Sequence, residues 1–149
     1  MKNHKLNIIL TGTPSDSHMW NLIFMELFLQ EHNCAVRNLG SCVSTTHLHD
    51  ALKKSSCDLV VISSINGHLF QDAIKIISSF PKQDSPSLPP FVLGGKMGIS
   101  QKDAAFQRKK LLKLGYDRVF IEKNALESFT QYLDRLAVLK NQPPLRHAV

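Results

Sequence analysis

DLVVISS, residues 58 to 64, places Leu59, Val60, Val61 and Ile62 in unbroken succession. A strand with one covered face alternates apolar and polar residues. One that is apolar on both parities is covered on both faces, as a central strand of a parallel sheet between two layers of helices is. The hydroxyls of Ser63 and Ser64 followed by Gly67 bring the run to a loop. Such a strand needs parallel neighbours joined by helical crossovers, and the flanking sequence supplies them.

Upstream, KLNIILT at 5 to 11 is a second buried strand that stops at Gly12 and Pro14, and the pattern from His18 to His32 is helical, closed by Asn33. CAVRNLG at 34 to 40 reads as a strand. STTHLHDALKKSS at 44 to 56 opens with hydroxyl residues suited to N-capping and spaces Leu48, Ala51 and Leu52 at helical intervals. Downstream, LFQDAIKIISSF at 69 to 80 is a helix, PKQDSPSLPP at 81 to 90 a proline-rich surface loop, and FVLGG at 91 to 95 a strand. A basic amphipathic helix over 101 to 114, the strand YDRVFI and a helix over 125 to 140 complete the set, with a disordered tail expected over 141 to 149. Five strands alternating with five helices predict one α/β domain over residues 1 to 140. The expected architecture is a doubly wound five-stranded parallel sheet in the flavodoxin-like, Rossmann-like order 2-1-3-4-5.

Composition narrows the class of function. A chain of 149 residues supports a single core that buries about 68–70% of the unfolded surface, so neither disulfides nor a structural metal is needed for stability. Cys34, Cys42 and Cys57 lack zinc-like pairing, and their odd number with no signal peptide predicts a reducing, cytoplasmic setting. The apolar stretch from Met19 to Leu29 includes Asn21 and Glu26 and is too short to span a bilayer, so no membrane partner is expected. The net charge of +6 is spread along helix-like segments without interleaved aromatics; it reads as solvated helix faces, and no nucleic acid partner is expected.

In a sheet of this order, ligands bind beyond the carboxyl ends of the strands, where the winding direction reverses between the first and third strands. Residues 12 to 18 and 63 to 68 lie there, with 94 to 98 beside them. The first segment holds Asp16 and His18. Two apart in an extended loop, they face the same side, so the carboxylate is able to accept one ring N–H and leave the other nitrogen free as a metal ligand or base. The plainer alternative is that Asp16 caps the first helix and His18 is a surface residue of its first turn. No Ser or Cys stands in a nucleophile elbow. The other histidines repeat no metal spacing with His18, and among them only His68 falls at the same sheet end. One histidine suffices for a metal whose remaining ligands come from a macrocycle, a cobalt corrin or a haem.

At these residues the sequence resembles the cobalamin-binding domains of the mutase and methionine synthase type, and within them the small cobalt-carrying subunit of glutamate mutase. The family motif D-x-H-x-x-G appears as DSHMWN with Asp16 and His18; S-x-L appears as SSI with Ser63 and Ile65; and a Gly-Gly pair appears as VLGG with Gly94 and Gly95. RNLG at 37 to 40 and LGYDRVF at 114 to 120 extend the resemblance over about residues 5 to 136. Two positions depart: Asn21 replaces the motif glycine and Ile65 the motif leucine.

The resemblance implies adenosylcobalamin as cofactor, with His18 on cobalt in place of the cofactor's own dimethylbenzimidazole and Asp16 behind the imidazole. It implies further contacts from Thr13, Pro14, Ser15, Ser17, Met19, Asn21 and Leu22 on the first loop and helix. Others follow from Ser63, Ile65, Asn66 and Gly67 on the third strand's loop, and from Gly94, Gly95 and Lys96 on the fourth. The displaced nucleotide tail would run between the sheet and the first helix. No catalytic residue is expected in this chain. The chemistry implied is conversion of glutamate to 3-methylaspartate by an isomerase of two kinds of subunit, this one inactive without a larger catalytic barrel subunit. A free-standing cobalamin sensor or methyl carrier is the alternative, although these bring additional domains. A flavodoxin-like FMN protein ranks behind it, because TGTPSDS resembles a phosphate loop but only Trp20 is near enough to stack on a flavin. A receiver domain is disfavoured by Ser63 and Ser64 where a phosphoacceptor Asp is expected.

Overall fold

The computed structural model describes residues 4–81, 84, 87–98 and 101–143. Strands β1 (Leu6–Thr11), β2 (Cys34–Asn38), β3 (Leu59–Ser64), β4 (Phe91–Gly95) and β5 (Arg118–Phe120) alternate with helices α1 (Trp20–Glu31), α2 (Thr45–Lys54), α3 (Leu69–Ser78), α4 (Ala104–Leu114) and α5 (Ala125–Asn141). The strands form one sheet in the order β2-β1-β3-β4-β5, all pairs parallel. This is the expected doubly wound sheet.

The double apolar parity of β3 has its counterpart in two cores. Leu59 and Val61 join the cluster with Leu22 and Leu29 of α1 and Phe129 and Leu133 of α5. Val60 and Ile62 join the opposite cluster, with Leu48 of α2, Leu69 and Ala73 of α3 and Leu111 of α4. All six β3 residues are buried. Fully burying such side chains stabilises by about 1.5–3 kcal/mol each, and a polar substitution on either parity of β3 loses one of the two layers.

Some boundaries moved, for physical reasons. Helix α1 begins at Trp20 rather than His18, and its N-cap, Met19, makes no side-chain capping bond. Asp16 is occupied elsewhere, which excludes its reading as a helix cap. The strand expected over 34 to 40 ends at Asn38, whose Oδ1 accepts the Gly40 N–H at 2.9 Å and turns the chain. Ser44 caps α2 as its sequence suggests, accepting the His47 N–H at 3.1 Å. The helix expected from 101 opens with a 3₁₀ turn, Gln101–Asp103, before α4. Strand β5 is shorter than YDRVFI because the Tyr116 N–H closes the end of α4 on the Leu111 carbonyl at 3.3 Å, while its buried side chain donates to the Ala73 carbonyl at 2.7 Å. Asn141 is the last residue of α5. Residues 144–149 of the expected tail, and 82, 83, 85 and 86 of the proline-rich loop, lie outside the described residues.

Candidate functional site

The loops after β1, β3 and β4 meet at the carboxyl edge of the sheet, and Asp16 is where they join. Its side chain is 2% exposed. Oδ2 accepts from the Ser64 hydroxyl and the Ile65 N–H, both at 2.8 Å, which ties the loop to the end of β3. Oδ1 accepts from the His18 N–H at 2.9 Å and faces His18 Nδ1 at 2.6 Å. Burial presses the carboxyl's pKa upward; the N–H groups of His18 and Ile65, the Ser64 hydroxyl and the His18 ring together outweigh it and hold the carboxyl down at about 2. Asp16 is therefore an anion at neutral pH. It only accepts, so Nδ1 of a neutral His18 carries the proton and Nε2 is bare.

The rest of the loop is held as closely. Ser15 donates its N–H and its hydroxyl to Asp72 Oδ2, from a carboxylate 4% exposed in the first turn of α3. Asn66 donates to the Ser15 carbonyl and hydroxyl at 3.1 Å each, while its Oδ1 accepts from the His68 N–H at 2.9 Å. The Cys42 N–H donates to the Asp16 carbonyl at 3.0 Å, bringing in the loop after β2. The Lys96 N–H reaches the Ser64 carbonyl at 2.8 Å, bringing in the loop after β4. Out of this frame the His18 side chain projects, 54% exposed.

Beside it lies a groove of about 190 Å³ between the sheet and helices α1 and α5. Its floor is one cross-strand row: Ser63 pairs with Gly94, and Gly94 with Phe120. Ser63 and Gly94 share the parity of Val61 and Val92, whose side chains pack toward α1 and α5. A Cβ at Gly94 would meet nothing nearer than the Phe120 carbonyl, at 3.7 Å, so the missing side chain leaves open space. At Gly95, φ is +126° and a Cβ would lie 1.9 Å from the Ser64 carbonyl oxygen, so only glycine fits. Phe24 and Met25 of α1 and Leu126 and Phe129 of α5 form the opposing wall. Asn21 crosses the groove, donating from Nδ2 to Ser63 Oγ at 3.1 Å, and its buried Oδ1 has no partner.

The other residues singled out from sequence divide in two. Asn66 and Gly67, the latter at φ +86°, form the β3–α3 turn; Ile65 is exposed beside it, and Lys96 is exposed after β4. Pro14, Ser17 and Met19 are exposed on the first loop. Thr13 is fully buried with Oγ1 unpaired, and Leu22 is buried in the core under α1. Sequence reading missed Ser64, Asp72 and Phe120. Ser64 adjoins a motif serine and was legible as a strand-end hydroxyl; the roles of Asp72 and Phe120 come from packing across the sheet, which no local spacing reveals.

The donor set restricts what this edge is able to hold. Among the described residues, no group of three or more His, Cys, Asp or Glu comes together around a common point. His18 Nε2 is thus a lone exposed donor, and chemistry of that kind suits a metal that brings its other ligands with it. The glycine floor leaves open space in the groove, and the unpaired Asn21 Oδ1 leaves an acceptor at its side.

No family model matches the chain. It is 26% identical over 121 residues to the glutamate mutase sigma subunit of Halobacterium salinarum, covering 81% of this chain and 80% of that one. It is also 26% identical over 129 residues to the glutamate mutase sigma subunit of Escherichia coli O157:H7, covering 87% and 86%. Among solved structures, a cobalamin-binding protein from Desulfitobacterium hafniense superposes with a TM-score of 0.63 at 16% identity, over 89% of this chain and 59% of that one. A Francisella response regulator receiver domain superposes with 0.65 at 13% identity, over 92% and 100%. The fold is thus shared with proteins of different function, and it is the residues at the strand ends that separate them. In sequence over about four fifths of its length, and in fold across the whole sheet, the chain resembles the cobalamin-binding domains and among them the small, sigma subunit of glutamate mutase.

Proposed function

We propose that this chain is the cobalamin-binding subunit of an adenosylcobalamin-dependent carbon-skeleton mutase, of the glutamate mutase kind, and that it binds the cofactor with His18 as the lower cobalt ligand. One observation carries the reading: a buried carboxylate, anchored to β3 through one oxygen, holds Nδ1 of an exposed imidazole at 2.6 Å through the other. Relatives bearing the glutamate mutase sigma name support the reaction class.

When bound, the cofactor supplies a cobalt–carbon bond that breaks homolytically. The chain supplies positioning. Asp16 fixes the tautomer and tilt of His18, so that Nε2 faces outward. Ser63, Gly94 and Gly95 lay a floor without bulk for the displaced tail. Thr13, Pro14, Ser15, Ser17, Met19 and Leu22 shape the loop and helix start around the histidine, while Ile65, Asn66, Gly67 and Lys96 form the rim opposite. Substrate chemistry belongs to a larger catalytic partner covering the exposed imidazole side, and the chain alone is inactive. Residues 1 to 140 act as one cofactor-binding domain.

The FMN alternative is disfavoured by the loop itself. The N–H groups of Ser15 and His18 point at the carboxylates of Asp72 and Asp16. A phosphate there meets two anions rather than free donors.

Titration with hydroxocobalamin tests the proposal. The wild-type chain is expected to bind with the absorption spectrum of a nitrogen-ligated corrin and with the benzimidazole released. His18→Ala is expected to lose that spectrum. Equal uptake with an unchanged axial-ligand spectrum refutes ligation by His18.

A further inference from the structure

We infer that the Asn21–Ser63 pair is a latch across the mouth of the groove, and that it biases the chain toward corrinoids whose nucleotide tail is small or missing. The inference rests on the proposed cobalamin reading and concerns the position where the sequence departs from the family motif.

Three observations carry it. First, Asn21, the second residue of α1, and Ser63, near the end of β3, both line the groove, and the 3.1 Å bond between them joins helix to sheet across it three residues after His18. A tail displaced from a His18-bound cobalt has to pass there. Second, the groove holds about 190 Å³, whereas pockets that bury a ligand of drug size run from about 300 to 1,000 Å³. A benzimidazole with its ribose and phosphate is of that size, so the groove as it stands is too small for the whole tail. Third, the Asn21 amide is only half satisfied: Nδ2 has Ser63, and the buried Oδ1 has nothing. Turning the amide over leaves the other half unpaired. A buried amide with one orphaned end is poorly held, because exposing that end to water or to a ligand hydroxyl recovers a hydrogen bond.

The latch is therefore closed by a single hydrogen bond and is openable. Tail entry breaks that bond and swings the amide aside. A corrinoid with no tail needs neither step, because it engages only His18 and the rim. Glycine at position 21 removes the bar, and alanine removes the bond while keeping helix propensity.

The test uses the full chain as wild type, Asn21→Gly and Asn21→Ala, each checked for native circular dichroism. Each is titrated with aquacobalamin, which has the tail, and with diaquacobinamide, which lacks it. Trp20, the one tryptophan of the chain and 82% exposed two residues from His18, reports binding by quenching. Both variants are expected to bind aquacobalamin more tightly, by roughly 2- to 12-fold, the fold-change that the net worth of one hydrogen bond converts to. Diaquacobinamide affinity is expected to stay within about twofold, because that ligand never meets the latch. A merely structural role for Asn21 moves both ligands together and overturns the inference. Weaker aquacobalamin binding in both variants overturns it too, since Asn21 then holds the tail. If neither corrinoid binds any of the three proteins, the cobalamin reading itself falls, whereas a wild-type chain that binds both without preference overturns the latch alone.

Discussion

Asp16→Asn is the most informative single change, because it keeps the shape and removes the anion. The two carboxylate oxygens serve four donors in two pairs: Ser64 and Ile65 on one, the backbone and ring of His18 on the other. An amide has one oxygen, and the Ile65 N–H and Ser64 hydroxyl, fixed at the end of a buried strand, retain it. The new NH₂ then faces the His18 N–H, donor against donor. One unsatisfied donor costs about 1–3 kcal/mol, and the bonds that remain lose their charge assistance. A loss of about 2–4 kcal/mol is expected. The same bonds hold the carboxyl down from 3.8 to about 2 in the folded protein, a lowering that corresponds to about 2 kcal/mol at neutral pH.

The same change inverts the imidazole. Next to NH₂, Nδ1 becomes an acceptor and the ring proton moves to Nε2, which is then unable to ligate a metal. Nitrogen NMR of the ring at alkaline pH reads this without any cofactor: Nδ1–H in the wild type, Nε2–H in Asp16→Asn. Urea unfolding at pH 7 reads the stability, and corrinoid titration is expected to show a loss on the order of 10–100-fold in affinity. A wild-type ring protonated on Nε2, or an Asn variant with an unchanged urea midpoint, refutes the assignment of Asp16 as the group that orders His18.

Because the folded carboxyl sits below its unfolded value, its contribution is complete above about pH 5 and is lost as pH falls toward 2, where the folded form takes up its proton. The urea-unfolding free energy of the wild type is expected to fall over that range by about 2 kcal/mol more than that of Asp16→Asn; parallel curves exclude the carboxylate as the cause. Gly95→Ala is expected to destabilise by roughly 2–4 kcal/mol through strain at positive φ and the clash with β3. Gly94→Ala, whose Cβ has 3.7 Å of clearance, is expected to leave stability within about 0.5 kcal/mol. Equal thermal midpoints for the two variants contradict the placement of Gly95.

The fold was legible because β3 is unambiguous. Four consecutive apolar residues, too short a run for a helix, rich in β-branched side chains and closed by Ser63, Ser64 and Gly67, read as a strand covered twice, and the spacing of turn residues then ordered the remaining elements. Boundaries were legible where a local bond sets them, as Ser44 does for α2. They were not legible where a distant residue competes. Asp16 and His18 read as a helix start because Ser and Asp are good caps. The carboxylate was instead claimed by Ser64 and Ile65, 48 and 49 residues away in sequence, so α1 starts late and uncapped. At β5 the Tyr116 N–H is claimed by the Leu111 carbonyl at the end of α4, so the strand starts after it.

For the site, pairing of Asp16 with His18 followed from their spacing, whereas the cause of its rigidity did not. Two residues on a loop need a fixed point, and here that point is a carboxylate shared between the core and the exposed ring. Oδ2 belongs to the sheet and Oδ1 to the histidine, so orientation of the imidazole is established when β3 pairs with its neighbours, before any ligand arrives. Such a histidine does not have to be ordered at the moment of binding, and the entropy of ordering it is not charged against affinity. The arrangement also ties folding to function at one side chain: a substitution of Asp16 that frees the ring also leaves a backbone N–H unpaired, that of His18 in Asp16→Asn and that of Ile65 as well where no oxygen remains, and stability and ligation fall together. Asn21 has no such tie. Its amide is bound at one end only, so exchange at that position alters what enters the groove while the sheet beneath keeps its pairing.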